Sequence, residues 1–185
     1  MTVYAYDTEF IEHHIRVGRL GRKVHTIELI SIGIVADDGS EYYAVNADAP
    51  WKDIQRDPWL MENVIPSLPR VHGDRRNHTP KTWVVDHEDH RVKPLKKIAK
   101  DVEDFLIDYD YPELWADYGA YDHVALFQLW GRMVDLPVGM PMFTRDLQQE
   151  AAVRGLTIPE QESGLHNALE DARHVMRVLR EWGHV

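Results

Sequence analysis

The sequence predicts an α/β fold, a mixed sheet flanked by helices, and two observations carry that prediction. Strand-like runs come first: TVYAYD (2–7), the β-branched VHTIELISIGIVADDG (24–39) and EYYAVNA (41–47). Helical periodicity dominates the rest, interrupted by short strand candidates, as a sheet with helices on its faces requires.

Each element has its own reason. The run 24–39 closes on Asp38-Gly39, and the short gap before 41–47 predicts a β-hairpin, so the first three strands are expected to pair at least partly antiparallel. Asp57-Pro58 places an N-cap acid and a first-turn proline ahead of WLMENVI, which marks a helix start. SLPRVHGDRRNHTPKT (67–82) is polar and basic, contains Pro and Gly, and reads as a loop. Val92, Leu95, Ile98, Val102, Phe105 and Tyr109 recur at helical spacing, giving a long amphipathic helix over 86–109 with Lys96, Lys97 and Lys100 on its wet side. PELWADYG (112–119) reads as a strand, and Leu126, Leu129, Trp130 and Met133 resume the helical period. MPMFTRDLQQEAAVRG (140–155) reads as a short strand and then a helix stopped by Gly155. A last helix, about 166–182, turns Leu169, Ala172, Val175, Met176 and Leu179 inward.

No linker divides the chain, so residues 1–185 are expected to form one domain. There is no cysteine, which excludes disulfides and thiolate chemistry. No apolar run approaches the roughly 20 residues that span a bilayer, and acids stand where a secretory leader has its basic region, so a cytoplasmic protein is expected. The formal net charge of −10 argues against a large basic surface for duplex nucleic acid. It leaves room for an enzyme that grips one chain end, because bound divalent cations offset part of the negative charge.

Asp7 and Glu9 are the first chemical signal. Residues i and i+2 of a strand project from one face, so the two carboxylates repel each other unless a cation lies between them. Hard oxygen donors suit magnesium or manganese; two solvated acids at a strand end are the bland alternative. Asp122 stands where a strand and turn give way to a helix, a position that the helix dipole alone also favours for an acid. His166 and Asp171 lie five residues apart, about 140° around a helix. They therefore meet only if His166 sits at or before the first turn, and there a histidine can serve as a base at neutral pH. A capping or surface histidine is the competing reading. His13-His14 and His87-Glu88-Asp89-His90 lack a full zinc ligand set at a recognised spacing.

Taken in order, YAYDTEF, the Asp122 context and HNALEDARH resemble the three exonuclease motifs of the DEDD 3′-to-5′ exonucleases, in the histidine branch that includes ribonuclease T. The run from YAYDTEF through HTIELISIGIV to HNALEDARH looks closest to the bacterial ribonuclease AS group, which prefers adenylate RNA. The resemblance implies a ribonuclease H-like fold and an exoribonuclease acting at single-stranded RNA 3′ ends. It implies a homodimer and two magnesium or manganese ions per site. It makes Asp7, Glu9, Asp122 and Asp171 the metal ligands, with Asp7 bridging, and His166 the general base. Thr8 and Phe10 become the candidates to hold the terminal nucleotide, Phe10 by stacking if it is not core. Arg70, Arg75 and Arg76, with the three lysines above, are candidate guides for the phosphate backbone, against a merely solvated face.

The chain departs from the family pattern at Tyr118, where an Asn is usual, and at Phe10 and Ile11, which replace a Thr-Gly element. Both departures bear on how the terminal nucleotide is held and leave the acids intact. A DNA proofreading or repair exonuclease on the same scaffold, and a catalytically silent nucleic-acid-binding domain, are the rival readings.

Overall fold

The computed structural model describes residues 2–19, 21–70, 85–107 and 111–185. Six strands form one mixed sheet: β1 (Val3–Val17), β2 (Arg22–Ala36), β3 (Glu41–Asn46), β4 (Val92–Lys93), β5 (Glu113–Ala116) and β6 (Arg145–Asp146). They lie in the order β4-β3-β2-β1-β5-β6. β1, β2 and β3 pair antiparallel, as expected, whereas β4, β5 and β6 add in parallel. This is the mixed, helix-flanked α/β architecture read from the sequence, and it is compatible with a ribonuclease H-like fold.

Strand alternation sorts the core. Tyr4, Tyr6, Ile32 and Ile34 face one way and bury against α3 (Leu95–Leu106) and α4 (Ala120–Phe127). Val3, Ala5 and Val35 face the other way, against α6 (Ala168–Glu181). Ile11, Ile30 and Val45 extend that second face under α1 (Trp51–Ile54) and α2 (Pro58–Asn63). α3 sets its buried stripe from Ile98, Val102 and Leu106, each worth about 1.5–3 kcal/mol of burial.

Two boundaries differ from expectation. β1 runs to Val17 where the sequence reading stops at 7, and β2 begins at Arg22, so the two strands form a hairpin longer than the apolar pattern announced. The expected helix over 86–109 starts only at Leu95; Val92 belongs instead to β4, beside Val45. Pro94 explains this, because the residue before a proline is held extended and the proline then opens the helix. Tyr109, Arg75 and Arg76 lie outside the described residues.

α4 stops at Phe127, short of the helical period read through Leu129, Trp130 and Met133, whereas the cap signals of the other helices hold. Asp57 caps α2 by accepting from the N–H groups of Trp59 (2.9 Å) and Leu60 (3.1 Å), with Pro58 in the first turn. α5 (Leu147–Arg154) ends on Gly155 at φ 65°. Asn167 caps α6, accepting from the N–H groups of Leu169 and Glu170.

Candidate active site

Asp7 and Glu9 alternate with Thr8 along β1 and so share the face that α6 covers. Opposite them, β2 carries a bulge: Glu9 pairs with Ser31 and Phe10 with Leu29, which leaves Ile30 as the surplus residue. The Asn46 amide donates to the Leu29 carbonyl at 2.9 Å, satisfying backbone that the bulge disturbs. Bulges of this kind bend a strand and re-aim its side chains, and they recur beside active sites.

α6 reaches the acids through a glycine. Gly33 pairs with Asp7, and a Cβ on it would lie 2.3 Å from the Ala168 carbonyl oxygen and the Leu169 nitrogen. Only the absent side chain lets the first turn of α6 rest on the sheet, and that contact carries Asp171 over β1. One carboxylate oxygen each from Asp7, Glu9 and Asp171 lies within 4.8 Å of the other two. Gln161 steadies the third acid, its amide donating to Asp171 Oδ1 at 2.7 Å.

Asp122 arrives from the other side. β5 pairs with β1 only as far as Ala5, which frees the next stretch of the β1 edge. There Asp122, in the first turn of α4, accepts from the Thr8 N–H at 2.9 Å and from its hydroxyl at 2.7 Å through one oxygen, Oδ1. Asp122 therefore stands beside the triplet and not within it, and the buried Thr8 side chain is engaged inside the protein.

The electrostatics follow from this crowding. Burial is the largest cause pushing each of the four acids upward, and neighbouring carboxylates add to it at Asp7, Glu9 and Asp122. Glu9 is raised to about 8, with Asp171 and Asp122 contributing. Asp7 is driven well above the carboxylate range by burial and then by Asp122, Glu9 and Asp171. Asp122 is raised to about 6 by burial, against the two hydrogen bonds from Thr8. Asp171 is also raised, though Gln161 and His166 pull the other way.

His166 holds a left-handed backbone at φ 61°, uncommon for a residue with a side chain. The Ser67 hydroxyl donates to its carbonyl at 3.1 Å, and the Trp59 ring packs edge-to-face on its imidazole, centroids 4.9 Å apart. It thus sits just ahead of the α6 cap, the one position from which it can approach Asp171. Trp59 also lines a cleft of about 400 Å³ with Glu9, Phe10, Glu12, Asp57 and Leu60. Phe10 both packs on the core and stacks on the half-exposed Tyr121, centroids 5.8 Å apart and planes 10° from parallel.

The sequence reading missed Gly33, Gln161, Trp59 and Tyr121. A lone glycine inside a β-branched run is a recognised sign of close backbone approach, so Gly33 was findable. The other three carry no local signal. Of the three lysines that are candidate guides for the phosphate backbone, two are engaged within α3: Lys97 binds Asp101 at 2.6 Å and Lys100 binds Asp104 at 2.7 Å. His13 Nε2 lies 2.6 Å from Glu28, which accounts for an acid inside an apolar strand.

Fold, site and sequence similarity together define a hydrolase. The chain belongs to the 3'-5' exoribonuclease Rv2179c-like domain family, whose model matches residues 4–182. It is 42% identical over 180 residues to the 3'-5' exoribonuclease Rv2179c of Mycobacterium tuberculosis strain ATCC 25618 / H37Rv, covering 96% of this chain and 90% of that protein. The 3'-5' exoribonuclease MT2234.1 of Mycobacterium tuberculosis strain CDC 1551 / Oshkosh matches with the same identity and coverage.

Proposed function

We propose that this protein removes nucleotides one at a time from the 3′ end of single-stranded RNA, with a preference for adenylate. In this reading it is a single-domain, dimeric and cytoplasmic member of the histidine branch of DEDD exonucleases. The observation that carries the reading is the convergence of Asp7, Glu9 and Asp171 from a central strand and a distant helix, each held against its own repulsion.

The donor set fits a hard divalent cation. It offers only carboxylate oxygens, close together and mostly shielded from water, and their raised proton affinity is the penalty a cation removes. Asp7, Glu9 and Asp171 would hold magnesium or manganese there, with Asp122 completing a second position. Bound ions supply charge relief at the phosphate and acidify a water.

The remaining roles fall to the chain's own groups. Thr8 fixes Asp122 through two hydrogen bonds, keeping its carboxylate turned toward β1. Gln161 fixes Asp171 in the same way. The His166 imidazole accepts the proton of the attacking water at a ring nitrogen, its orientation set by Trp59 and by the Ser67 bond to its carbonyl. Phe10, backed by Tyr121, offers a flat apolar surface at the cleft wall for the terminal base, where stacking contributes about 1–3 kcal/mol per base.

Digestion of end-labelled RNA homopolymers and matched DNA, with magnesium and with a chelator, tests this. Stepwise loss of 5′-mononucleotides from RNA 3′ ends, fastest on poly(A) and abolished by the chelator, is the expected result. Chelator-resistant cleavage removes the metal assignment, and DNA digested as readily as RNA replaces the substrate.

A further inference from the structure

Beyond Ile11 and Ile27, β1 and β2 leave the sheet as a two-stranded arm, with β3 pairing only Ser31–Val35 and β5 only Val3–Ala5. Alternation gives this arm two faces. One continues from Phe10 through Glu12, His14 and Arg16, whose cross-strand partners are Ile27, His25 and Lys23. The other carries the aliphatic Ile15, Val17 and Val24.

The first face is cationic toward its tip. Arg16 and Lys23 stand directly opposite each other, and the His14 and His25 rings lie behind them with Nε2 atoms 3.1 Å apart. Arg19 in the turn adds a further positive charge near the tip, and Arg22, paired with Val17, adds one on the opposite face, against Glu12 as the arm's acid. Like charges placed directly across a strand pair repel. Nothing offsets them here: among the described residues none of these four cations has a carboxylate within 4.0 Å. Many cations elsewhere are engaged, as Lys97 is with Asp101 and Arg173 with Glu41 and Glu170. In a chain of net charge −10, an exposed cluster of unpaired cations has a polyanion as its natural complement.

We propose that the Arg16–Lys23 face of the arm binds the phosphate backbone of the RNA strand upstream of the 3′ end, an inference that rests on the exoribonuclease reading. The track opens onto the cleft, which Phe10 and Glu12 of this face line together with Glu9 of the other. Phe10, at the cleft wall, and Arg16, near the tip, lie on one face, separated by roughly 20 Å at about 3.3 Å per residue. A strand whose last base meets Phe10 and whose backbone follows this face passes its phosphates over both cations. The arm thus recognises length, not base, and holds the shortened strand in place after each nucleotide leaves. The acidic surface of a second copy would also complement these charges, but it offers no reason for the face to begin at the cleft that Phe10 and Glu12 line with Glu9.

The test measures binding of a 5′-fluorescein single-stranded RNA of 15 nucleotides by anisotropy, across a salt series and with chelator present so that the strand stays intact. Wild type, Arg16→Ala/Lys23→Ala and the control Arg177→Ala/Arg180→Ala are compared, the last pair being exposed cations on α6. We expect the arm variant to bind about tenfold more weakly, with a log–log salt slope shallower by about 1.4, at roughly 0.7 per lost phosphate contact on a single strand. The control should match wild type. Equal losses in both variants mean diffuse charge and overturn the proposal. So do unchanged binding, no measurable binding by wild type, and a shift of oligomeric state by light scattering with RNA affinity intact. Release of mononucleotide from a dinucleotide with magnesium is read separately and should be equal in wild type and arm variant. If wild type releases none, the exoribonuclease reading fails while the anisotropy still decides the arm.

Discussion

Glu9 is one of the four site acids whose surroundings resist ionisation, and the sign of that resistance can be followed into stability. Its folded-state value, about 8, lies above the ordinary 4.5. Between those values the folded chain binds the proton more tightly than the unfolded chain, so this group's contribution declines as pH rises through the window. In metal-free protein, the Tm advantage of Glu9→Gln over wild type should therefore be larger near pH 8 than near pH 5, measured by circular dichroism melting. A difference that is flat or reversed with pH shows that Glu9 is not held against its charge. The residues proposed for catalysis separate by a different readout. Asp7→Ala should abolish turnover in a folded protein, whereas His166→Ala should lose about 10²–10⁴ in rate, the span of general base catalysis, and keep its metal affinity by titration calorimetry. Manganese binding lost in His166→Ala would make the histidine a ligand or a scaffold and not a base.

Gly33 shows how a single backbone position governs an element. Ala168 and Leu169 press on it directly, so Gly33→Ala must lift the first turn of α6 or bend β2. Overpacking of this kind costs about 1–3 kcal/mol, and urea unfolding should register it. Because the same contact positions Asp171, turnover should fall by more than the lost stability accounts for, even under conditions where the variant is fully folded. Activity that merely tracks the folded fraction would mean that α6 positions Asp171 through other contacts. The same element explains what was legible in the sequence. HNALEDARH shows its acid, its histidine and its apolar stripe in one short stretch, so α6 and two candidate residues could be read together. The long hairpin could not be, since outward-facing Ile15, Val17 and Val24 alternate with charged residues and bury little. Its turn glycines, Gly18 and Gly21, both at positive φ, were the cue available. Val92 misled in the opposite direction: its spacing matched a helix, and only Pro94 marks the boundary.

Across the molecule, the sheet order was not legible, because parallel addition of β4, β5 and β6 is decided by packing between residues far apart in sequence. The acids were recognised as a set, but their distances, the role of Thr8 on Asp122 and the Trp59 contact to His166 exist only once the chain has closed. On the proposed function, closure also links folding to cation binding. Manganese at about one hundred times its dissociation constant should stabilise the protein by about 2.7 kcal/mol. At about 2–4 °C per kcal/mol for a chain of this size, the Tm should rise by roughly 5–11 °C. Asp171→Asn should abolish most of that rise; retention of the full shift would place the ion elsewhere.

Asp7 and Asp171 stand far apart along the polypeptide and meet only where α6 lies down on Gly33. Synthesis proceeds from the amino terminus, so β1 emerges early while its helical counterpart is still uncoded peptide. If these acids form the proposed centre, a half-made chain on the ribosome has none, and the message being translated is safe from its own product until nearly all of it has been read.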